Sequence, residues 1–329
     1  MPTSARAITH CVPGKVELRS TSVRDPGPGE ILVKAIYTTV SPGTEIRTLN
    51  VAGPQEPFVP GYAAVGEVVA AGPGAGIEPG QHVFCGGTRH AEGLKLMWGA
   101  HISHAVRAAR ECYLLQPQAD LLSATLAKLG AIAFHGLRMA RVIPGEQVAV
   151  IGLGPIGQFA SRFYTLAGCQ VVATDRIASR VELARRAGVN AVALQGSLAE
   201  TFRRHFPQGA AVVVDSTGAA QVLDSAVELL REGPWGTDLP TSARFIVQGS
   251  YPADISFSYQ KAFMKETQMI FTRDGSPADF WTVFGMMERQ ELRPRDLISQ
   301  IFKPEEAPQA YQQLQEPNTP LLTIAFDWR

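Results

Sequence analysis

Val148-Ala-Val-Ile-Gly152-Leu-Gly154-Pro155-Ile156-Gly157 decides the fold. Four apolar residues run straight into three glycines, and apolar residues then recur at Ile156, Phe159, Ala160 and Phe163, the spacing of a helix face. Each glycine has a separate task. Gly152 permits the tight turn, Gly154 lets backbone approach a pyrophosphate, and Gly157 lets helix and strand pack closely. The helix that opens at Pro155 and Ile156 would offer its free N–H groups to the phosphates. The next apolar run, from Gln170, ends at Asp175, eighteen residues past Gly157, where a dinucleotide site places an acid on the adenosine ribose. Strand, turn, helix and acid in register predict dinucleotide binding.

Asp175 also chooses the nucleotide, because a carboxylate repels the extra phosphate of NADP; NAD is expected and NADP is second. Arg176 follows at once and could pair with that phosphate, and Arg180, one helical turn on, could reach ribose or phosphate. Outward from this motif, strand and helix alternate: strands Gln147–Ile151, Gln170–Thr174, Ala191–Leu194, Ala211–Asp215, Arg244–Val247 and Gln268–Thr272, with helices at Pro155–Ala167, Ala178–Ala187, Leu198–His205, Ala220–Arg231 and Tyr259–Lys265. Such repetition predicts an α/β fold with a Rossmann doubly wound parallel sheet. Ligands of such sheets lie beyond the carboxyl ends of the strands, which adds Ser216 and Thr217 near the adenosine and Gln248, Gly249 and Ser250 near the nicotinamide.

Before the alternation, short β-branched or apolar runs cut by Gly and Pro (Ala5–Thr9, Glu30–Thr39, Gly66–Ala70, His82–Phe84, His104–Arg107) predict a β-rich unit. After it come helices at Ala278–Arg289 and Glu305–Gln315 and a strand at Leu321–Phe326, a tail too small for its own core and expected to fold back on the first unit. The domain reading is therefore 1–125 for a β-rich catalytic domain, 126–272 for the nucleotide domain and 273–329 for the returning segment. Gly233–Ser242, rich in Gly, Pro and Thr, reads as a surface loop.

With 329 residues and 45% hydrophobic residues, the chain can fill two cores. Thirty basic residues balance thirty acidic ones, so no overall field draws it to nucleic acid or to a membrane, and a small-molecule substrate is expected. No apolar run is long enough to span a bilayer, and the N-terminus lacks a secretory signal, so a cytoplasmic protein is expected. Cys11, Cys85, Cys112 and Cys169 form no C-x-x-C pair and are expected to be reduced.

In the order of its parts, with Ile143-Pro-Gly145 ahead of the glycine turn, the chain resembles the medium-chain dehydrogenase/reductase superfamily, alcohol dehydrogenase-like enzymes with a GroES-like catalytic domain. Val40-Ser-Pro-Gly-Thr-Glu45, Gly61-Tyr-Ala63 and Lys128-Leu-Gly-Ala-Ile-Ala133 are similar to the branch containing bacteriochlorophyllide a dehydrogenase. The resemblance also exposes departures. Zinc-containing relatives bind catalytic metal through a Cys near Ser41-Pro42, a His at Tyr62 and a further Cys or acid near Ala127. None of the residues standing here is a zinc ligand of choice, and the four-cysteine lobe is absent, so no metal is expected. A rival set, His82, Cys85, His90, His101, His104 and Cys112, crowds one stretch, but His101 and His104 read as strand residues facing opposite ways.

Without zinc, the substrate oxygen must be handled by side chains. The resemblance implies Thr44 at the start of a proton relay, and Tyr62 and Lys128 at the cleft; His101 is the remaining titratable candidate, with Glu45 read as a helix-starting acid. A zinc-independent, NAD-linked dehydrogenase of secondary alcohols or ketones is expected. The alternatives are an NADPH-dependent quinone or enoyl reductase and a dinucleotide-binding protein without activity. The loop Gly86–Gly99, carrying Arg89, His90, Lys95, Met97 and Trp98, is expected to border the cleft and suits a sizeable, partly polar or anionic substrate. Relatives pair through edge strands of the nucleotide domain, so a homodimer is expected through Arg244–Val247 and Gln268–Thr272.

Overall fold

The computed structural model describes residues 2–12, 14–51, 57–233, 242–251, 254–316 and 318–329. It divides into two compact units, Met1–Lys128 with Phe284–Arg329, and Leu129–Val283. Both divisions fall inside helices, Ala127–Ala140 and Pro277–Glu288, rather than in the loops that precede them.

In the second unit, a six-stranded parallel sheet runs in the order Ala191–Ala193, Gln170–Asp175, Gln147–Ile151, Val212–Asp215, Arg244–Val247, Gln268–Phe271. This is a doubly wound sheet whose order reverses between Gln147–Ile151 and Val212–Asp215, so the glycine turn opens at the switch point. Val148, Ala149 and Val150 are wholly buried because helices cover both faces, which is why the central strand reads as an unbroken apolar run. Arg244–Val247 is paired on both sides, with Val212–Asp215 and with Gln268–Phe271, so it is not the edge expected from the sequence; only Gln268–Phe271 ends the sheet on that side.

The expected helix Ala220–Arg231 is shorter, a 3-10 turn at Ala220–Val222 followed by a helix at Leu223–Val227. The chain leaves the helix because Leu229 O accepts from Ala210 N and Arg231 N donates to Ala210 O, a pairing that continues the neighbouring backbone. Most of the expected surface loop at Gly233–Ser242, residues 234–241, lies outside the described residues.

Two sheets build the first unit. Lys15–Val23, Thr3–Val12, Phe58–Val59 and Lys95–Leu96 form one. The other, seven-stranded among the described residues, runs Ile298–Phe302, Thr323–Asp327, Glu30–Thr39, Ala64–Ala71, His82–Cys85, Tyr113–Leu114, with His104–Ala108 also on Glu30–Thr39. Thr323–Asp327 pairs antiparallel with Glu30–Thr39, Phe326 opposite Thr38, so the chain's last strand completes the sheet begun by its third. Ile8, Val40, Leu49, Tyr311, Ile324, Phe326 and Trp328 pack together behind it. Each fully buried large apolar side chain there contributes roughly 1.5–3 kcal/mol.

The β-rich unit also holds a helix, Pro42–Val51. Proline in its first turn is preset for helix, and the Glu45 side chain turns back to accept from Ser41 N at 2.7 Å, reciprocating the Glu45 N to Ser41 O bond at 2.9 Å. Among the described residues, no helix is long and apolar enough to cross a membrane.

Candidate active site

In the second unit, Gly152 sits at φ +86, a left-handed conformation that favours glycine. A Cβ on Gly157 would lie 1.8 Å from Gly152 O, so strand and helix touch there, whereas a Cβ on Gly154 would meet nothing within 4 Å. Gly154 is the N-cap of helix Pro155–Leu166 and no side chain caps its first N–H groups. Open space before an uncapped helix start is an anion cradle. The Ser216 hydroxyl, close by with its Cβ 3.4 Å from a Cβ on Gly157, is buried without a partner among the described residues. The residues present therefore fit a dinucleotide.

Asp175 is fixed at its strand end by two backbone donors, Leu153 N to Oδ2 at 2.7 Å and Ile177 N to Oδ1 at 2.8 Å. A carboxylate has about four acceptor positions, so ribose hydroxyls can still be met. Arg180 Nη1 stands 3.9 Å from Asp175 Oδ2; burial pulls the guanidinium below its usual range, and Asp175 opposes that pull. Arg176 is exposed.

Asp215 joins the two later loops. Its Oδ1 accepts from Thr217 Oγ1 at 2.8 Å and its Oδ2 from the Tyr251 hydroxyl, while a Cβ on Gly249 would fall 2.5 Å from Gly218 N. Burial raises the Asp215 carboxyl to about 6, against the opposing bonds from Thr217. Gln248 donates its Nε2 to Ile132 O at 3.0 Å and Ala133 O at 3.3 Å, seated over Gly136, while its Oε1 is buried without a partner among the described residues. Ser250 is exposed, its carbonyl against Gly218. The Asp215–Tyr251 latch was not foreseen; the acid at the strand end was its only signal.

These placements make a sharp prediction. Gly154→Ala should leave the melting temperature within about a degree of the parent, since its Cβ points into open space, yet weaken nucleotide binding at least tenfold. Gly157→Ala should destabilise the chain by roughly 1–3 kcal/mol through overpacking. Thermal melts beside nucleotide titrations check both, and equal melting losses would refute the assignment.

In the first unit, Tyr62 donates its hydroxyl to Ser41 Oγ, and Lys128 Nζ stands 5.6 Å from the Tyr62 ring centroid. Ser41 comes from the helix entry, Tyr62 from the turn at Gly61 (φ +86), and Lys128 from the start of helix Ala127–Ala140. Ala127 is fully buried; it is the next residue, Lys128, that faces Tyr62. In the sequence Ser41 marks only the place of a missing metal ligand; the structure makes it the acceptor of the Tyr62 hydroxyl. Thr44 is half-buried in the first helical turn, its N–H on Ser41 O at 3.1 Å.

His101 lies beneath this pair rather than beside it. It is fully buried at a bend before strand His104–Ala108, not within a strand. Its Nε2 donates to Glu45 Oε2 at 2.9 Å and its Nδ1 meets Thr38 Oγ1 at 2.8 Å, which also accepts from Trp328 Nε1 at 3.0 Å. Tyr311 donates its hydroxyl to the same Glu45 oxygen. Burial alone would raise the Glu45 carboxyl; the His101 charge and the bonds from His101, Ser41 and Tyr311 outweigh it and hold the group below the usual carboxylate range. A Cβ on Gly61 would lie 2.6 Å from His101 Cδ2, so the His101–Glu45 pair sets both Ser41 and the Gly61–Tyr62 turn. Positioning, not contact with substrate, is what this geometry gives His101 and Glu45.

Two family models match the chain: the alcohol dehydrogenase GroES-like domain over residues 27–118 and the zinc-binding dehydrogenase domain over residues 155–289. The chain is a medium-chain dehydrogenase/reductase. The 2-desacetyl-2-hydroxyethyl bacteriochlorophyllide A dehydrogenase of Rhodobacter capsulatus is 29% identical over 324 residues, 96% of each chain. Two solved structures share the fold over 99% of both chains: a short chain alcohol dehydrogenase from Escherichia coli CFT073 complexed with NADH (TM-score 0.82, 20% identity), and a zinc-binding dehydrogenase homologue from Sinorhizobium meliloti 1021 bound to NADP (TM-score 0.83, 19% identity). The protein is thus an oxidoreductase of the medium-chain dehydrogenase type.

The family description names zinc, and the donor set can be tested against it. A serine hydroxyl, a phenol and an ammonium occupy the place where zinc-containing members are expected to offer thiolate and imidazole, and such a set does not fit a catalytic zinc. His82, Cys85, His90, His104 and Cys112 are not gathered with His101; among the described residues, no three His, Cys, Asp or Glu side chains are grouped to hold a metal.

Proposed function

We propose that this medium-chain dehydrogenase/reductase is a zinc-independent, NAD(H)-dependent enzyme that interconverts a secondary alcohol and its ketone. The observation that carries the reading is the Ser41–Tyr62–Lys128 group, which puts a hydroxyl, a phenol and a cation together where zinc-containing relatives keep metal ligands. Bound nicotinamide would supply the hydride acceptor and donor. The chain's own residues do the rest. The N-terminus of helix Pro155–Leu166 binds pyrophosphate, Asp175 binds ribose, and Ser216 and Thr217 line the adenosine side. Ser41 accepts from Tyr62 and retains its own O–H, so it can donate to a substrate oxygen. In the oxidative direction Tyr62 acts as the phenolate: Ser41 Oγ takes the alcohol proton as the Ser41 proton passes to the Tyr62 oxygen, which leaves the hydroxyl pair described above, with the Lys128 cation beside the ring.

NAD is favoured over NADP because Asp175 is buried and held at the ribose end by Leu153 N and Ile177 N, which keeps its negative charge in place. NADH should bind at least tenfold more tightly than NADPH in calorimetric titration. Activity should persist after exhaustive chelation, with no stoichiometric zinc by elemental analysis. Activity lost on chelation and restored by zinc would overturn the metal-free reading.

The partner proposed is a second copy of the chain across the edge strand Gln268–Phe271, where Phe271 is exposed and Tyr259, Phe263 and Met264 of the preceding helix are exposed as well. A cytoplasmic setting suits four buried, unpaired cysteines.

A further inference from the structure

Cys85 and Cys112 stand opposite one another at the edge of the seven-stranded sheet. Strand His82–Cys85 pairs antiparallel with Tyr113–Leu114, Val83 opposite Leu114 and Phe84 opposite Tyr113, so the next step of the register sets Cys85 opposite Cys112. Leu115 N donates to His82 O at 2.9 Å, which makes His82 and Leu115 a hydrogen-bonded pair. Along an antiparallel ladder such pairs alternate with non-hydrogen-bonded ones, which therefore fall at Val83 and again at Cys85. The Cys112 N–H agrees, since it is given to Ala109 O at 3.0 Å within its own turn and not to the facing strand. Phe84 and Tyr113 meet on one face of the sheet, ring centroids 6.2 Å apart, and both cysteines lie buried in one apolar cluster on the other.

Non-hydrogen-bonded partners bring their side chains closest, with Cα atoms about 4.5 Å apart, inside the roughly 4.4–6.8 Å that a disulfide spans. We propose that Cys85 and Cys112 form a redox site, a dithiol that a peroxide converts within the native fold into a cross-strand disulfide that locks this unit. The Cys112 sulfur, nearer the sheet edge, gives up its proton and attacks a peroxide oxygen; the O–O bond breaks, leaving a sulfenic acid and one water. The Cys85 sulfur then attacks the sulfenic sulfur, the S–O bond breaks, and the departing oxygen leaves as a second water with the Cys85 proton. Two thiols are thereby oxidised by two electrons and one peroxide is reduced. Burial raises both thiols; the Gly87 N–H and the Arg107 guanidinium oppose it at Cys85, and Arg107 opposes it at Cys112. Little thiolate is present at neutral pH, so the bond forms slowly, and the resolving thiol alongside intercepts the sulfenic acid before further oxidation.

The bond would close the stretch Gly86–Glu111 at its base. That stretch gives Lys95–Leu96 to the four-stranded sheet and His104–Ala108 to Glu30–Thr39, while Cys85 itself is paired with Ala64 in the strand that follows Tyr62. A staple there constrains the unfolded chain far more than the native one.

The test treats the full chain with hydrogen peroxide under native conditions, then alkylates, digests and maps it. A peptide pair joined through Cys85 and Cys112 and released by dithiothreitol is expected, and the oxidised chain should melt roughly 5–10 °C above the reduced one. Cys112→Ala and Cys85→Ala, treated alike, should show neither the link nor the upward shift. Absence of the linked peptides, or their appearance only in urea, would overturn the site. A native disulfide that leaves the melting temperature unchanged or lower would overturn the lock.

Discussion

Tyr62→Phe is expected to lower kcat for alcohol oxidation by about 10²–10⁴-fold, the range for losing a positioned acid–base group. The ring still packs on Trp98, but the hydroxyl that bonds Ser41 is gone. Lys128→Met should lose turnover to a similar degree, because no cation then stands beside the ring that must carry the negative charge, and Lys128→Arg should recover part of it. In both variants kcat and kcat/KM should fall together, since the lost interaction is made in the transition state, and NADH affinity should not move. Steady-state kinetics beside nucleotide titration decide the matter. A Tyr62→Phe enzyme with parental kcat would leave Ser41 alone as the acid–base group and remove the basis for a metal-free mechanism.

The second large effect is on stability and comes from His10. This imidazole is fully buried, meets Tyr311 and Phe58 edge to face at 5.0 and 5.3 Å, and neither ring nitrogen has a partner among the described residues. Burial lowers its pKa from 6.5 to about 4; the charge of Glu45 opposes the shift and that of His101 adds to it. The folded chain therefore resists a proton that the unfolded chain accepts. The resulting stability is present above the unfolded pKa and is lost as pH falls from 6.5 through about 4. At 1.36 kcal/mol per unit the loss is about 3 kcal/mol. Asp215 works the other way: its folded pKa is raised to about 6, so its protonated form stabilises the fold at low pH, and that contribution is lost as pH rises through 6. The two oppose one another in nearly the same window, so the parent's pH curve alone would conceal both. The difference between His10→Leu and the parent isolates His10. Urea unfolding at both ends of the window should show it growing by about 3 kcal/mol in the variant's favour, and a constant difference would refute the assignment.

What the sequence made legible follows the range of the interactions. Val148 to Asp175 could be read in full because the nucleotide turn is local: three glycines, one helix start and one acid lie within reach of one another along the chain. The helix Pro42–Val51 is signalled in the sequence only by Glu45 as a helix-starting acid, and it begins three residues earlier, at Pro42. The strand Lys15–Val23 is hidden, because much of it is only half-buried and its alternation is weak. The network of Thr38, Glu45, His101, Tyr311 and Trp328 could not be read, since its members come from five separate stretches and a buried acid looks like any other in a string of letters. Gln248 shows how little position alone tells: it sits at a strand end as expected, with its amide nitrogen given to the carbonyls of Ile132 and Ala133 and its Oε1 buried without a partner among the described residues.

Thr323–Asp327 lies between Ile298–Phe302 and Glu30–Thr39 in the seven-stranded sheet, Val40 N donates to Ile324 O at 3.0 Å, and Trp328 is bonded to Thr38. On the ribosome this has a consequence for timing. The nucleotide unit, one unbroken stretch from Leu129 to Val283, can mature while synthesis continues, but the unit that begins first must wait with an unsealed sheet edge until residue 327 has emerged. The Ser41–Tyr62 pair, proposed above as the acid–base group, is then expected to assemble last, after the glycine turn of the other unit.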